Sequence, residues 1–356
     1  MNSNMQNIKK IDDTTFMLKV RIPIPALKFV NCYVIKKEEN VLLIDTGWDS
    51  EESYASLLNN LNELNVKIRN IKGIIITHLH IDHLGLVTRI NKNNEIPVFI
   101  HEEDWKYIRD TLKESDKKVN ELRELLRKAG APSELYNNIE NLLPWIKRIK
   151  LFQSFIETAR PVKDMENIIF NDHELEIIWT PGHTPGHICV YDKSSKNLFT
   201  GDHVLPKITP NISTYDFSRN LLKYYIKSLN KINKFEASTI LPAHEYEFKS
   251  LKNRIFELKL HHLERIKEII EIIKNGFNTP YEIALKIKWN LGGKNLEQTD
   301  TFQKYMALGE TFSHLIFLKT YSILKEEEDS SSLKYYLNEN LDYENILKFE
   351  LFENLA

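Results

Sequence analysis

Cysteine is almost absent: the 356-residue chain has only Cys32 and Cys189, each inside an apolar run. That scarcity excludes a disulfide framework and a thiolate metal site, and it predicts two buried thiols. An excess of charge of either sign is also missing. A formal net charge of -2 gives no chain-wide attraction to nucleic acid or to an anionic membrane. With 11 Gly and 12 Pro, the chain is neither collagen-like nor a low-complexity segment. No window approaches ~18 uninterrupted apolar residues, and the N-terminal stretch lacks an apolar core followed by a small-residue cleavage site. No membrane span or secretory leader is expected, and cytoplasmic location is the default expectation. No internal repeat is evident.

What is present is the composition of a folded protein, 42% hydrophobic and 28% charged, long enough for one large α/β domain with an appendage. Residues 15–45 read as successive short strands separated by a Pro-containing stretch and a polar KKEEN turn. Asp45-Thr46-Gly47 closes a strand. A helical pattern follows Ser50, with Tyr54, Leu57, Leu58 and Leu61 on one face, and residues 71–77 form another buried strand. Strands recur at 98–100, 175–179, 187–191, 197–199 and 239–241, with a helix around 220–232. This alternation predicts an α/β sandwich over 1–249. Within it, residues 102–164 are mainly helical, an insertion or lid that carries Trp105 and Trp145. Beyond Lys249 the apolar residues take up a helical period, which predicts a small, mainly helical domain over 250–356. Thr279-Pro280 marks a helix start there, an N-cap followed by a favoured first residue. The last stretch reads as a small wing and a terminal helix.

In THLHIDHLG, His78 and His80 stand two residues apart, and Asp82 and His83 follow on the turn into a helix. Four potential ligands are thereby forced together. Imidazole nitrogen and carboxylate oxygen suit zinc, iron or manganese, and no nearby Cys points to a structural zinc. A polar loop whose histidines merely cap a helix is the plain alternative. Three further elements follow. His183 and His187 flank the turn of WTPGHTPGH, FTGDHV ends a strand with Asp202 and His203, and LPAHE ends another with His244. Each is weak alone. Together they are His/Asp groups at strand ends, in loops that a scaffold can converge, and they indicate a metal site.

In order and spacing these motifs resemble those of the metallo-β-lactamase superfamily, whose signature is an HxHxDH loop with a later His, an Asp and a final His. The resemblance spans residues 14–249. It implies an αββα sandwich with two divalent metal ions at one edge of its sheets, zinc first, with iron or manganese as alternatives. It gives His78, His80 and His183 to one ion and Asp82, His83 and His244 to the other, with Asp202 bridging. Asp45 matches an acidic position that supports the metal loop through hydrogen bonds, and His187 falls outside the metal set, as a turn or supporting histidine. His203, directly after the bridging Asp, is a candidate substrate contact. Asn211 and Tyr215, in the polar segment that follows, are two more. Such a site carries residual positive charge after Asp82 and Asp202 are counted, and lowers the pKa of bound water from ~15.7 to about 7. The resulting two-metal-bound hydroxide is the expected nucleophile, with Asp82 as proton shuttle.

The implied activity is metal-dependent hydrolysis of a small acyl substrate, a thioester, ester or lactone. A phosphodiesterase or endoribonuclease of the same fold is the alternative, and a non-catalytic binding module a third reading. The C-terminal region resembles the winged-helix-like domain of many family members. Its Lys residues are interspersed with Glu, so a pocket wall or a homodimer surface is expected there before nucleic acid.

Overall fold

Apolar side chains recur on both faces of the central strands, as in the nearly unbroken burial of Phe29–Lys37, so each sheet must be covered on both sides. The computed structural model describes residues 7–24, 27–92, 95–137, 139, 148–214, 216–338 and 341–353. Trp145 and Tyr215 lie outside them. The first sheet has seven strands in chain order: β1 (Ile8–Lys10), β2 (Thr15–Arg21), β3 (Phe29–Lys37), β4 (Asn40–Ile44), β5 (Ile71–Ile75), β6 (Val98–His101) and β7 (Ala159–Val162). It is antiparallel from β1 to β4 and parallel from β4 to β7. The second runs β12 (Thr239–Pro242), β11 (Asn197–Gly201), β10 (Ile188–Asp192), β9 (His173–Trp179) and β8 (Asn167–Phe170), and only β11 and β12 are parallel.

The inner faces meet in one core. Met17, Tyr33, Ile35, Leu42, Ile44 and Phe99 from the first sheet pack with Phe170, Leu175, Ile177, Val190, Phe199 and Leu241 from the second. This is the sandwich of the expected αββα class. On the outer face of the first sheet, α1 (Glu51–Glu63) packs on β2 through buried Leu57 and Leu61, one turn apart. Ser50 caps it by accepting from Ser53 N–H. The short helices α2 (Ile81–Leu84) and α3 (Val87–Asn91), then α4 (Glu102–Lys113), follow β5 and β6.

The chain divides into two compact units: Met1–Leu112, Arg148–Pro210 and Lys234–Leu251 form one, and Lys113–Lys147, Asn211–Asn233 and Lys252–Ala356 the other. The segment expected as one helical insertion is therefore shared. Its part in the first unit holds most of α4, α7 (Ile149–Thr158) and strand β7. Its part in the second holds α5 (Ser115–Lys128) and α6 (Ser133–Asn137), tied to the C-terminal region by Tyr281 N–H donating to the Ala129 carbonyl at 3.0 Å. The second unit also contains α8 (Leu221–Ile232), most of α9 (Leu251–Lys274), α10 (Pro280–Lys286), α11 (Thr301–Thr320), the hairpin β13 (Leu324–Glu328) and β14 (Leu333–Leu337), and α12 (Tyr343–Lys348). Thr279 and Glu282 cap α10 reciprocally. The apolar period of α9 and α11 does form core, but a polar seam runs through it. His262 Nδ1 lies 3.2 Å from His314 Nε2, beside buried Arg265 and Glu310. Cys32 and Cys189 are buried thiols that form no disulfide. Among the described residues, no helix is long and apolar enough to cross a membrane.

One pH dependence is built into the second sheet. His173 Nδ1–H donates to Asp192 at 2.7 Å, and this bond holds the imidazole above its usual pKa. Burial pushes Asp192 up, but His173, Ser195 and Ser194 N–H outweigh it and leave the carboxyl below its usual value. The pair therefore stabilises fully between about pH 4 and 6.5. Its contribution is lost as pH rises through the folded pKa of His173, or falls through that of Asp192. Thermal melts of wild type and His173→Gln should differ most near pH 5–6 and converge toward pH 9. A gap that widens with pH would contradict the assignment.

Candidate metal centre

Parallel strand pairs from the two sheets place the site. Ile44 of β4 aligns with Ile75 of β5, and Gly201 of β11 with Pro242 of β12, so the loops that follow leave neighbouring strand ends together. Asp45 and the His78 to His83 loop come from the first pair, Asp202 and His244 from the second. The sheets are stitched at this end. Ile188 N–H donates to the Thr77 carbonyl (2.9 Å), Asn31 N–H to the Ala243 carbonyl (2.7 Å) and Tyr33 O–H to the Pro242 carbonyl (2.7 Å).

His78, His80 and His183 bring ligand atoms within 4.8 Å of one another, as do His78, His83 and Asp202, and Asp82, His83 and His244. The structure thus brings together all seven side chains expected as ligands. His80 occupies the N-cap of α2 without making a side-chain cap bond, which leaves its imidazole for the site. His80 Nδ1 lies 3.0 Å from both His78 Nε2 and His183 Nε2. Around Asp82 and Asp202 the separations are longer. His83 Nε2 is 3.7 Å from an oxygen of each, and His244 Nε2 is 3.5 Å from each. Donors at about 2.1 Å from one ion, with angles of roughly 90–125°, stand about 3.0–3.7 Å apart.

The fit to a cation rests on what these atoms lack. His83 Nε2, Asp202 Oδ1 and His244 Nε2 are buried without a hydrogen bond, and each such atom costs about 1–3 kcal/mol unless something satisfies it. The remaining ring nitrogens are committed so as to free the inward ones. His83 Nδ1–H donates to Asp45 (2.8 Å), His244 Nδ1–H to the Phe29 carbonyl (3.0 Å) and His78 Nδ1–H to Thr77 Oγ1 (3.1 Å). Fixing the tautomer in this way prepares an imidazole for a metal.

Charge divides the site in two. Burial pushes His78 well below its usual pKa and His80 down to about 3, with the adjacent imidazoles adding to it. Burial acts the same way on His83 and His244, but carboxylates overcome it. Asp45, Asp82 and Asp202 hold His83 well above its usual value, and Asp202 and Asp82 hold His244 at about 10. Burial would raise the two acids, yet His83 and His244 bring Asp82 down to about 2 and Asp202 well below the carboxylate range. The same two carboxylates that favour protons on His83 and His244 would favour a divalent cation, which would displace those protons.

The other expected residues are placed as follows. Asp45 accepts from Thr77 N–H, Thr77 O–H and His83 Nδ1–H, each at 2.8 Å. His187 is a supporting group: Nε2 accepts from Asp202 N–H at 3.1 Å, and Nδ1–H donates to Thr180 Oγ1 at 2.9 Å. Gly201, just before Asp202, has φ +49, and a Cβ there would lie 2.6 Å from His187 Nε2. His203 is buried, its ring centroid 5.7 Å from that of His187. Asn211 belongs to the second unit, where its amide donates to Glu310 at 2.8 Å. Two supporting groups were missed in the sequence. Thr46 fixes the His83 carbonyl through N–H (2.8 Å) and O–H (2.7 Å). Asp104, buried on α4, accepts three hydrogen bonds from the loops that carry the histidines. Glu102, Glu103 and Asp104 read as a first turn complementing the helix dipole, and nothing local marks the third acid as the inward one.

The sequence profile of the metallo-beta-lactamase superfamily matches residues 26–244. A probable metallo-hydrolase of Bacillus subtilis (strain 168), YqjP, is 22% identical over 312 residues, covering 86% of this chain and 93% of its own. The hydroxyacylglutathione hydrolase GloC of Haemophilus influenzae is 26% identical over 211 residues, 58% of this chain and 80% of its own. Among solved structures, a metallo-beta-lactamase family protein of Thermus thermophilus overlays with a TM-score of 0.74 at 24% identity, covering 92% of this chain and 100% of that one. At that identity the likeness shows the fold.

Proposed function

This chain belongs to the metallo-beta-lactamase superfamily, and from that premise we propose that it is a dinuclear metal-dependent hydrolase acting on a small acyl substrate, a thioester first, with esters and lactones in the same class. The observation that carries the reading is the convergence of seven ligand side chains in three overlapping groups, with three of their buried atoms unmatched by any hydrogen bond. His78, His80 and His183 would hold one divalent cation, and Asp82, His83 and His244 the other. Asp202 is placed between the two groups and would serve both, since its oxygens face His183 (3.5 Å), His83 (3.7 Å) and His244 (3.5 Å). Cations bound there, zinc before iron or manganese, polarise the acyl carbonyl and lower the pKa of water to about 7.

The chain's own groups do the rest. Asp82, buried and ionised at neutral pH, orients the attacking water by accepting its hydrogen bond and passes a proton toward the leaving group. His187 holds the Asp202 backbone, and Asp45 holds His83. The acyl class is favoured by the name of one relative, a hydroxyacylglutathione hydrolase, and by a net charge of -2, which provides no chain-wide attraction for RNA. The test is a panel of thioesters, esters, lactones and single-stranded RNA, with protein loaded with each metal. A kcat/KM of about 10⁴ M⁻¹s⁻¹ or more on one acyl class is expected. Cleavage of RNA alone would transfer the reading to a phosphodiesterase, and a metal-replete but inert protein to a binding role.

A further inference from the structure

We infer that Asp104 is a positioning residue of the metal centre: its buried carboxylate ties the loop bearing His78 and His80 to the loop bearing His183, and so sets the geometry of that trio separately from Asp82, His83 and His244. The inference rests on the metal reading above.

Asp104 is fully buried, and among the described residues no cationic side chain pairs with it. Its partners are three donors from two loops. Leu79 N–H, between two of the histidines, donates to Oδ2 at 2.9 Å. Thr184 O–H, next to His183, donates to the same oxygen at 2.8 Å, and Gly186 N–H donates to Oδ1 at 2.6 Å. The loops are drawn in so closely that a Cβ on Gly186 would lie 2.2 Å from Asp104 N and 2.8 Å from its Cβ and Cγ.

Only an acceptor-only group can receive all three bonds at once. An Asn would set its NH₂ against Gly186 N–H in one orientation and against Leu79 N–H in the other. Burial pushes the carboxyl up to about 7 despite the three donors, so the acid stands at a cost that an amide would not carry. That cost is accounted for by a clamp whose three donors all lie in the two loops that carry His78, His80 and His183. None flanks Asp82, His83 or His244 directly, and His83 and His244 have their own supports in Asp45, Thr46 and the Phe29 carbonyl.

The experiment measures stepwise zinc dissociation constants by chelator competition for wild type, Asp104→Asn and Asp104→Ala, together with the melting temperature of the metal-free proteins. His80→Ala and His244→Ala identify which equivalent is which. Asp104→Ala should weaken the equivalent lost in His80→Ala by about 10–100-fold, with Asp104→Asn intermediate. The equivalent lost in His244→Ala should change by less than about 3-fold. Thr184→Val should shift the first equivalent in the same direction by less. Equal weakening of both equivalents alongside a fall in melting temperature would assign Asp104 a general structural role and overturn the inference, as would no change in either. Two zinc ions on wild type with unchanged Asp104 variants would leave the metal reading standing. No zinc on wild type would overturn both.

Discussion

Asp202→Ala is expected to lower kcat/KM for the acyl substrate by more than about 100-fold and to reduce bound metal from two ions per chain to at most one. The magnitude follows from position. Changes to groups that merely orient a ligand typically cost 10–100-fold in metal affinity or activity, and Asp202 faces His183, His83 and His244 at once. Its main chain is fixed from both sides, by His187 accepting its N–H and by Gly201 in the left-handed region before it, so the deletion leaves a gap that no neighbour swings in to fill. The loss also removes the leading electrostatic support for His244, whose pKa should fall from about 10 toward the ordinary imidazole range. Steady-state kinetics with metal analysis on the same samples checks both. Two retained ions with activity within 10-fold of wild type would remove Asp202 from the shared position.

Asp45→Ala should have the second largest effect, on stability as well as activity. Asp45 is buried and accepts three hydrogen bonds, from Thr77 N–H, Thr77 O–H and His83 Nδ1–H. Its deletion strands a buried N–H and a buried imidazole donor together, for which about 3 kcal/mol or more is expected. The backbone adds to it: Asp45 has φ +59, a conformation that Asp and Asn tolerate through local hydrogen bonding and Ala does not. Asp45→Asn therefore separates the two effects. It should keep most of the stability, since the backbone stays at ease, and still lose about 10–100-fold in activity because its NH₂, which accepts no hydrogen bond, must face either Thr77 N–H or the pair formed by His83 Nδ1–H and Thr77 O–H. Urea denaturation of the metal-free variants and kinetics of the loaded ones read these separately. Equal stability of Asp45→Ala and wild type would contradict the network.

Much of this site was readable from residue order, for a physical reason. A ligand loop as short as THLHIDHLG concentrates its chemistry locally, and the later His and Asp groups fall at strand ends that period-2 patterning reveals. What was not readable depends on contacts distant in sequence. His183 and His187 flank the same Pro/Gly turn, and only the fold shows that His183 Nε2 meets His80 while His187 supports the Asp202 backbone. Likewise only the fold shows that the Asn211 amide donates to Glu310, far along the chain. Strand β7 was hidden in the helical insertion because ARPV is short and contains Pro161, which an edge strand tolerates and a central one does not. The grouping of α5 and α6 with the C-terminal helices rests on pairings such as Ala129 with Tyr281, which no local pattern encodes.

We propose that the His/Asp cluster holds two divalent cations that together drive hydrolysis. The most direct test is a titration of metal-free protein with zinc, with bound metal measured by mass spectrometry and acyl hydrolysis recorded at each point. Saturation at two ions per chain is expected, with activity rising on the second equivalent and absent before the first. Full activity in rigorously metal-free protein, or saturation at a single ion with no further gain, would contradict it.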